Sequence, residues 1–308
     1  MSAHAPSPPP TLGDILTRLR AHSHAASGER VSEPPSLPTL LAQCRAAQQT
    51  LVAPAPSIRA IYHFACTGGT MISKCIGALP NSILLNEMDP LSVDHLQSDP
   101  IRFLPTDLIA GLSTGVRNIP QETMIRIFQS GLETLLKDLT TQGRDLVIRC
   151  HTHTQFCTAP SPESRTGMPE ILGAVAPVRG IVTVRHPLDS FLSLKSNDWT
   201  SFAPFTLDEY ARRYMLFLDE YEAVPLYRYE DFLEQPHKLM QQMCDVLDLP
   251  YWSGFEAARA LIQLSGDSGR SGQSIAPRPR REVPDDIDNS RGHAPQYAAL
   301  CARLDYPV

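Results

Sequence analysis

Arg185 and Ser193 stand eight residues apart in the segment Arg185-His186-Pro187-Leu188-Asp189-Ser190-Phe191-Leu192-Ser193. The arginine closes an apolar strand, and the serine lies two turns into the helix that follows. A guanidinium fork and a hydroxyl suit a phosphate dianion. A second anion site is written into Thr67-Gly68-Gly69-Thr70-Met71. A Gly-Gly turn at a helix N-terminus aims several N–H groups at one spot, and the helix dipole adds partial positive charge there. Two more groups are suited to moving a proton or steadying charge. Glu87 follows a short apolar run, and Arg149-Cys150-His151 follows another.

Elements of fixed type must bring these groups together. Ile58 to Ala65 is a continuous apolar run and reads as a buried strand. The Gly turn comes next, then a helix with Met71, Ile72, Cys75, Ile76 and Leu79 on one side. A second strand, Ile83 to Leu85, ends at Asn86-Glu87. Gln121 to Thr141 is a strong helix, closed by Gly143. Asp145 to Cys150 and Gly180 to Val184 are strands; a helix from Pro187 to Lys195 starts with proline in its first turn. Leu207 to Glu222 is a Tyr-rich helix, and Val224 to Tyr227 a further strand. Pro236 to Leu247, Gly254 to Leu264 and His293 to Leu304 complete the helices. Strands alternating with helices give the α/β class with a parallel sheet. Ligands in such sheets lie beyond the C-terminal strand ends, where Thr67 to Gly69, Glu87, Arg149 to His151 and Arg185 all fall.

Composition narrows the function. The chain of 308 residues is 42% hydrophobic and 19% charged, with net charge −6. An acidic balance argues against a nucleic-acid binder or a polybasic membrane-surface protein. No apolar stretch reaches membrane-spanning length, and the N-terminus lacks a signal pattern. Seven scattered cysteines without a CxxC pair point to reduced thiols in a cytoplasm, not to a disulfide framework or a zinc site. Residues 1–55 are Pro-rich with two short helical pieces, too poor in apolar residues to form a core. They read as an extension that packs on the body or on a partner. Residues 56–308 form the main domain. Asp89 to Pro120 is a Pro-broken insertion beside the site.

The segment from Arg185 to Ser193 resembles the 3′-phosphate-binding motif of sulfotransferases that use 3′-phosphoadenosine 5′-phosphosulfate (PAPS). In that family an arginine and a serine eight residues later hold the donor's 3′-phosphate. VPLYRYEDFLEQPHKLMQQMCDVLDLP, residues 224–250, is similar to the family's strand, Tyr-Glu-Asp and helix segment. The resemblance covers about residues 58–305. It implies a three-layer α/β/α fold whose P-loop-like turn, Thr67, Gly68, Gly69, Thr70 and Met71, binds the phosphosulfate. It also implies PAPS as co-substrate, no metal, and a small-molecule, carbohydrate or peptide acceptor with a hydroxyl or amine. Arg270, Ser271 and Gly272 are similar to a late basic loop that closes over the 3′-phosphate. Glu87 stands where the carbohydrate and tyrosyl-protein branches keep their base, and His151 where the cytosolic branch keeps its own. The base is therefore Glu87 or His151, with Arg149 beside the reacting sulfonate. The chain departs from the family at Cys66-Thr67, where a Lys or Arg is usual; Arg149, Arg270 and Lys74 are the candidate replacements.

Rival readings are a P-loop small-molecule kinase and a catalytically silent nucleotide-binding module. GxxxxGK[ST] is absent, and no aspartate suited to Mg²⁺ follows a strand. His151 and His153 would share a side of a continued strand, but sequence spacing supplies no third metal ligand. Asp189, Tyr229, Glu230 and Asp231 read as architectural, and Tyr210, Tyr214 and Tyr221 as packing. Acceptor identity and oligomeric state are left open.

Overall fold

A computed structural model describes residues 42–43, 55–92, 107–113, 115, 117, 119–158, 165–199, 201–264 and 275–308. By internal contacts the chain divides into two units, Met1–Pro54 and Ala55–Val308, and the sheet lies in the second. The late loop of Arg270, Ser271 and Gly272 lies outside the described residues, as do most of the N-terminal extension and of the 89–120 insertion.

The elements are β1 Ile58–His63, α1 Gly69–Gly77, β2 Ser82–Met88, α2 Leu108–Ser113, α3 Gln121–Thr141, β3 Asp145–Cys150, α4 Thr152–Phe156, α5 Met168–Gly173 and β4 Val178–Val184. They continue as α6 Pro187–Ser196, α7 Leu207–Glu220, β5 Leu226–Arg228, α8 Tyr229–Glu234, α9 Pro236–Leu247, α10 Phe255–Ala258, α11 Asp285–Arg291 and α12 Pro295–Leu304. The sheet order is β2-β3-β1-β4-β5, and all pairings are parallel.

Strand alternation splits the core in two. Ile58, Ala60 and Tyr62 of β1, with Leu146, Ile148 and Cys150 of β3, face one side. There they meet Phe128, Leu132 and Leu136 of α3 and Tyr210, Tyr214 and Phe217 of α7. Ile61, Val147 and Ile181 face the other side, against Ile72 and Ile76 of α1 and Met240, Met243 and Leu247 of α9. Helices cover both faces, as a parallel sheet with apolar strands on both sides requires. The expected three-layer α/β/α fold is thus present. Tyr210, Tyr214 and Tyr221 are buried in the core, as their reading as packing implies.

Several elements differ from the sequence reading. The helix expected from Gly254 to Leu264 ends as a helical turn at Ala258 and a 3-10 turn at Arg259–Leu261. The strand expected from Val224 shifts to Leu226–Arg228. A helix not expected, α11, has three aspartates in its first turn, where the dipole favours them. The six described cysteines are free. No helix among the described residues is long and apolar enough to cross a membrane.

Candidate active site

Two strand ends and one helix start build the centre of the site. His63 has the parity of Ile61, and Arg149 that of Val147, so both point to the face that α1 covers. Ile61 and Arg149 are register partners in neighbouring strands. Arg149 therefore lies beneath the first turn of α1. Its Nη2 donates to Thr70 Oγ1 at 2.9 Å, its Nη1 to Asn86 Oδ1 at 2.8 Å and its Nε to His63 Nε2 at 3.0 Å. Asn86 has the parity of Leu84, which packs on the same face.

Glu87 breaks the alternation. By parity it belongs on the opposite face with Leu85. The β2–β3 register shifts between Leu85 and Met88, and Glu87 itself is left-handed, with φ 53°. The shift turns its carboxylate back, so that Oε1 lies 2.7 Å from Arg149 Nη2. Arg149 is 4% exposed in this pair and Glu87 16%. Burial raises the Glu87 carboxyl to about 6, against the opposing pull of Arg149. Near-neutral pKa values are what a general base requires.

His63 was not singled out in the sequence, although a histidine at the strand end before the Gly turn was the available signal. It is buried, its Nδ1 lies 3.3 Å from Phe64 O, and its Nε2 accepts from Arg149. Both bonds are made by one neutral tautomer. Burial first, and Arg149 next, hold its pKa well below the usual histidine value. His63 thus orients Arg149 without adding charge.

The Gly turn is tight for reasons of packing as well as chemistry. Gly68 is left-handed, with φ 89°, and a Cβ there would overlap the Tyr229 ring. A Cβ on Gly69 would overlap the His63 ring. Gly69 and Thr70 are the first residues of α1, where the N–H groups point out of the helix start. Two residues expected among the anion donors are turned inward. Thr67 gives both its hydroxyl (2.8 Å) and its N–H (3.3 Å) to Phe64 O, closing the turn. The Met71 N–H donates to Gly68 O at 3.0 Å. Gly68, Gly69 and Thr70 stand at the helix start itself.

Arg185 reaches this turn from β4. Its Nη1 lies 3.4 Å from Cys66 O, and its guanidinium stands over the Tyr229 ring at 5.7 Å. Asp189 pairs with Arg280 at 2.7 Å rather than with Arg185. Ser193 is buried on α6. The start of α6 is fixed by His186, whose Nδ1 accepts from Leu188 N while its Nε2 lies 3.0 Å from Pro307 O. Glu230 accepts from His186 N at 3.0 Å and from Tyr306 Oη at 2.6 Å. Glu230 is architectural, as read from sequence.

His151 and His153 were expected to align along a continued strand. The strand ends at Cys150 and α4 begins at Thr152, yet the two rings still meet. Their Nε2 atoms lie 2.6 Å apart with the rings perpendicular. His151 Nδ1 lies 2.7 Å from Thr154 Oγ1. Burial, then His151 and Arg149, hold His153 well below the usual histidine value. Glu87 Oε2 lies 3.8 Å from His151 Nε2. Topology thus brings a carboxylate to the histidine pair that sequence spacing had left without a third ligand. A cavity of about 300 Å³ opens beside them, lined also by Cys157, Leu194 and Trp199. The Trp199 ring lies parallel to His153, centroids 6.3 Å apart.

No protein-family model matches the chain, and no curated protein matches it in sequence. Solved structures do match. The sulfotransferase domain of the Synechococcus PCC 7002 olefin synthase aligns at 15% identity and TM-score 0.54, over 82% of this chain and 95% of that one. The fold is of the sulfotransferase type. A sulfotransferase domain from the curacin biosynthetic pathway aligns at 16% identity and TM-score 0.49, over 82% of this chain and 99% of that one. At these identities the likeness concerns the fold alone.

Proposed function

We propose that this chain is a sulfotransferase that uses PAPS and sulfates a hydroxyl or amine of a small-molecule, carbohydrate or peptide acceptor. One observation carries the reading: the Arg149 guanidinium lies under the first turn of α1, bonded to Thr70 and to Glu87. The loop cation missing before Thr67 is supplied from a neighbouring strand end, and a carboxylate of raised pKa stands against it. The donor residues fit a nucleotide with two anionic ends. Gly68, Gly69 and Thr70 present a helix N-terminus to one end, and Arg185 with Ser193 is suited to the other.

The donor supplies the sulfuryl group and a phosphate as leaving group. The chain's part is to orient, to neutralise and to take a proton. The helix N-terminus contributes about half a positive charge, and Arg149 adds a full one where charge develops. Glu87 Oε2 is buried and makes no hydrogen bond among the described residues, which leaves it a lone pair for the acceptor's proton. His151 is the second candidate base, with its Nε2 already facing His153. The cavity beside the histidines is the acceptor's entry.

A silent nucleotide-binding module is the second reading, favoured by the mutual neutralisation of Arg149 and Glu87. Transfer of ³⁵S from labelled PAPS to a panel of sugars, phenols, amines and tyrosyl peptides separates the two. Label on any acceptor supports the enzyme; nucleotide binding without label on any acceptor supports the module.

A further inference from the structure

We propose that Glu87, His151 and His153 form a binding site for a divalent transition-metal ion, with Zn²⁺ the best match, and that a bound ion shuts the site down. The inhibitory half rests on the sulfotransferase reading; the binding half does not.

The ligand atoms of the three residues lie within 4.8 Å of one another. The histidine Nε2 atoms face each other at 2.6 Å, with Glu87 Oε2 3.8 Å from that of His151. This carboxylate oxygen is buried without a hydrogen bond among the described residues. Its partner Oε1 is held by Arg149, so its direction is fixed. Two imidazoles and a carboxylate are a ligand set that Zn²⁺ takes. Bonds of about 2.0–2.1 Å in a tetrahedral site place two ligands roughly 3.3 Å apart. The histidine pair must therefore open by about 0.7 Å and the carboxylate close on His151 by about 0.5 Å, with all three ligand atoms already within 4.8 Å of one another.

The outer shell is also present. Thr154 Oγ1 lies 2.7 Å from His151 Nδ1, and a hydrogen bond there fixes the ring with Nε2 toward the centre. One ring's N–H bridges the 2.6 Å N···N contact; the ion takes its place, and that proton moves to the same ring's Nδ1, so each imidazole stays neutral. His151 and His153 line the cavity, which gives an ion its path in. Arg149 works against binding, because a buried guanidinium repels a divalent cation. Affinity should be micromolar, well short of that of structural zinc sites.

Coordination occupies the lone pairs of Glu87 Oε2 and His151 Nε2, the two atoms suited to accept the acceptor's proton. Zn²⁺ should therefore inhibit transfer.

The test titrates the full chain with Zn²⁺ against a chromogenic chelator, and with Co²⁺ followed in the visible. Expected are one equivalent at micromolar affinity and cobalt bands of four- or five-coordination without thiolate charge transfer. His153→Gln and Glu87→Gln should each weaken binding at least about tenfold, with folding checked by thermal melting. Absence of binding below millimolar Zn²⁺, or binding unchanged in both variants, overturns the site. Should a variant not fold, the wild-type spectrum decides, since a thiolate band overturns this ligand set. Zn²⁺ that binds as expected without slowing an active preparation overturns the inhibitory half alone. Failure of all acceptors in the ³⁵S assay removes the functional reading and leaves the metal titration to stand or fall by itself.

Discussion

Arg149 Nη2 lies 2.7 Å from Glu87 Oε1, although strict alternation along β2 would send Glu87 to the opposite face of the sheet. A register shift and a left-handed residue place this pair. A non-Gly residue in that conformation is uncommon, and such positions gather at functional sites. The pair joins the helix that starts at Gly69 to the histidines that follow β3, so the site's chemistry is organised around it.

Arg149→Ala removes a donor acting on developing charge, which costs roughly 2.7–4 kcal/mol in rate. Turnover should fall by about two to three orders of magnitude, with a smaller loss in affinity for the desulfated product. Arg149→Lys should rescue poorly, since one ammonium cannot serve His63, Asn86, Thr70 and Glu87 together. Steady-state kinetics with product titration checks both. Unchanged turnover would move the role to Arg270 or Lys74.

Glu87→Gln keeps the shape and removes the base. Product binding should survive while turnover falls by roughly 10²–10⁴. The base must be ionised, so wild-type kcat should rise as pH increases through about 6 and level off above it. A dead His151→Asn beside a near-normal Glu87→Gln would assign the base to His151.

The same carboxyl shapes stability. Its pKa is raised on folding from 4.5 to about 6. Between those values the folded protein holds a proton that the unfolded chain has released. The resulting stabilisation is full below the unfolded value and is lost as pH rises through about 6. The melting-temperature difference of Glu87→Gln minus wild type should therefore be more positive at about pH 7 than at about pH 5. A difference of the opposite sign would mean that the Arg149 pair outweighs burial.

Gly68→Ala places a Cβ at φ 89° and against the Tyr229 ring. The left-handed conformation alone costs roughly 1–2 kcal/mol, and overpacking about 1–3 more. The melting temperature should drop by several degrees, and donor binding should weaken because the turn moves. A variant as stable as wild type would mean that Tyr229 shifts freely.

Much of this was legible in the sequence because periodicity reports packing. The bounds of α3 and α9 match the sequence reading, since their apolar stripes are long and capped by proline or glycine. The Arg149 position was legible through its place at a strand end. His63 was not, because its role depends on the pairing of β1 with β3. The convergence of Glu87 on His151 and His153 was equally hidden. It needs a bulge that breaks the period of two, and such a break has no local signature in SILLNEM. Thr67 and Met71 read as anion donors from the Gly turn at a helix start and from the family resemblance; the hydrogen bonds that turn them inward belong to the turn's three-dimensional closure.

Calorimetric titration with 3′-phosphoadenosine 5′-phosphate and with adenosine 5′-phosphate tests the account most directly. The two ligands differ only in the 3′-phosphate assigned to Arg185 and Ser193. A charged Arg–phosphate contact contributes roughly 1.5–3 kcal/mol, so the bisphosphate should bind at least about tenfold more tightly. Arg185→Ala should erase that preference. Equal affinity of wild type for both nucleotides would contradict the PAPS assignment.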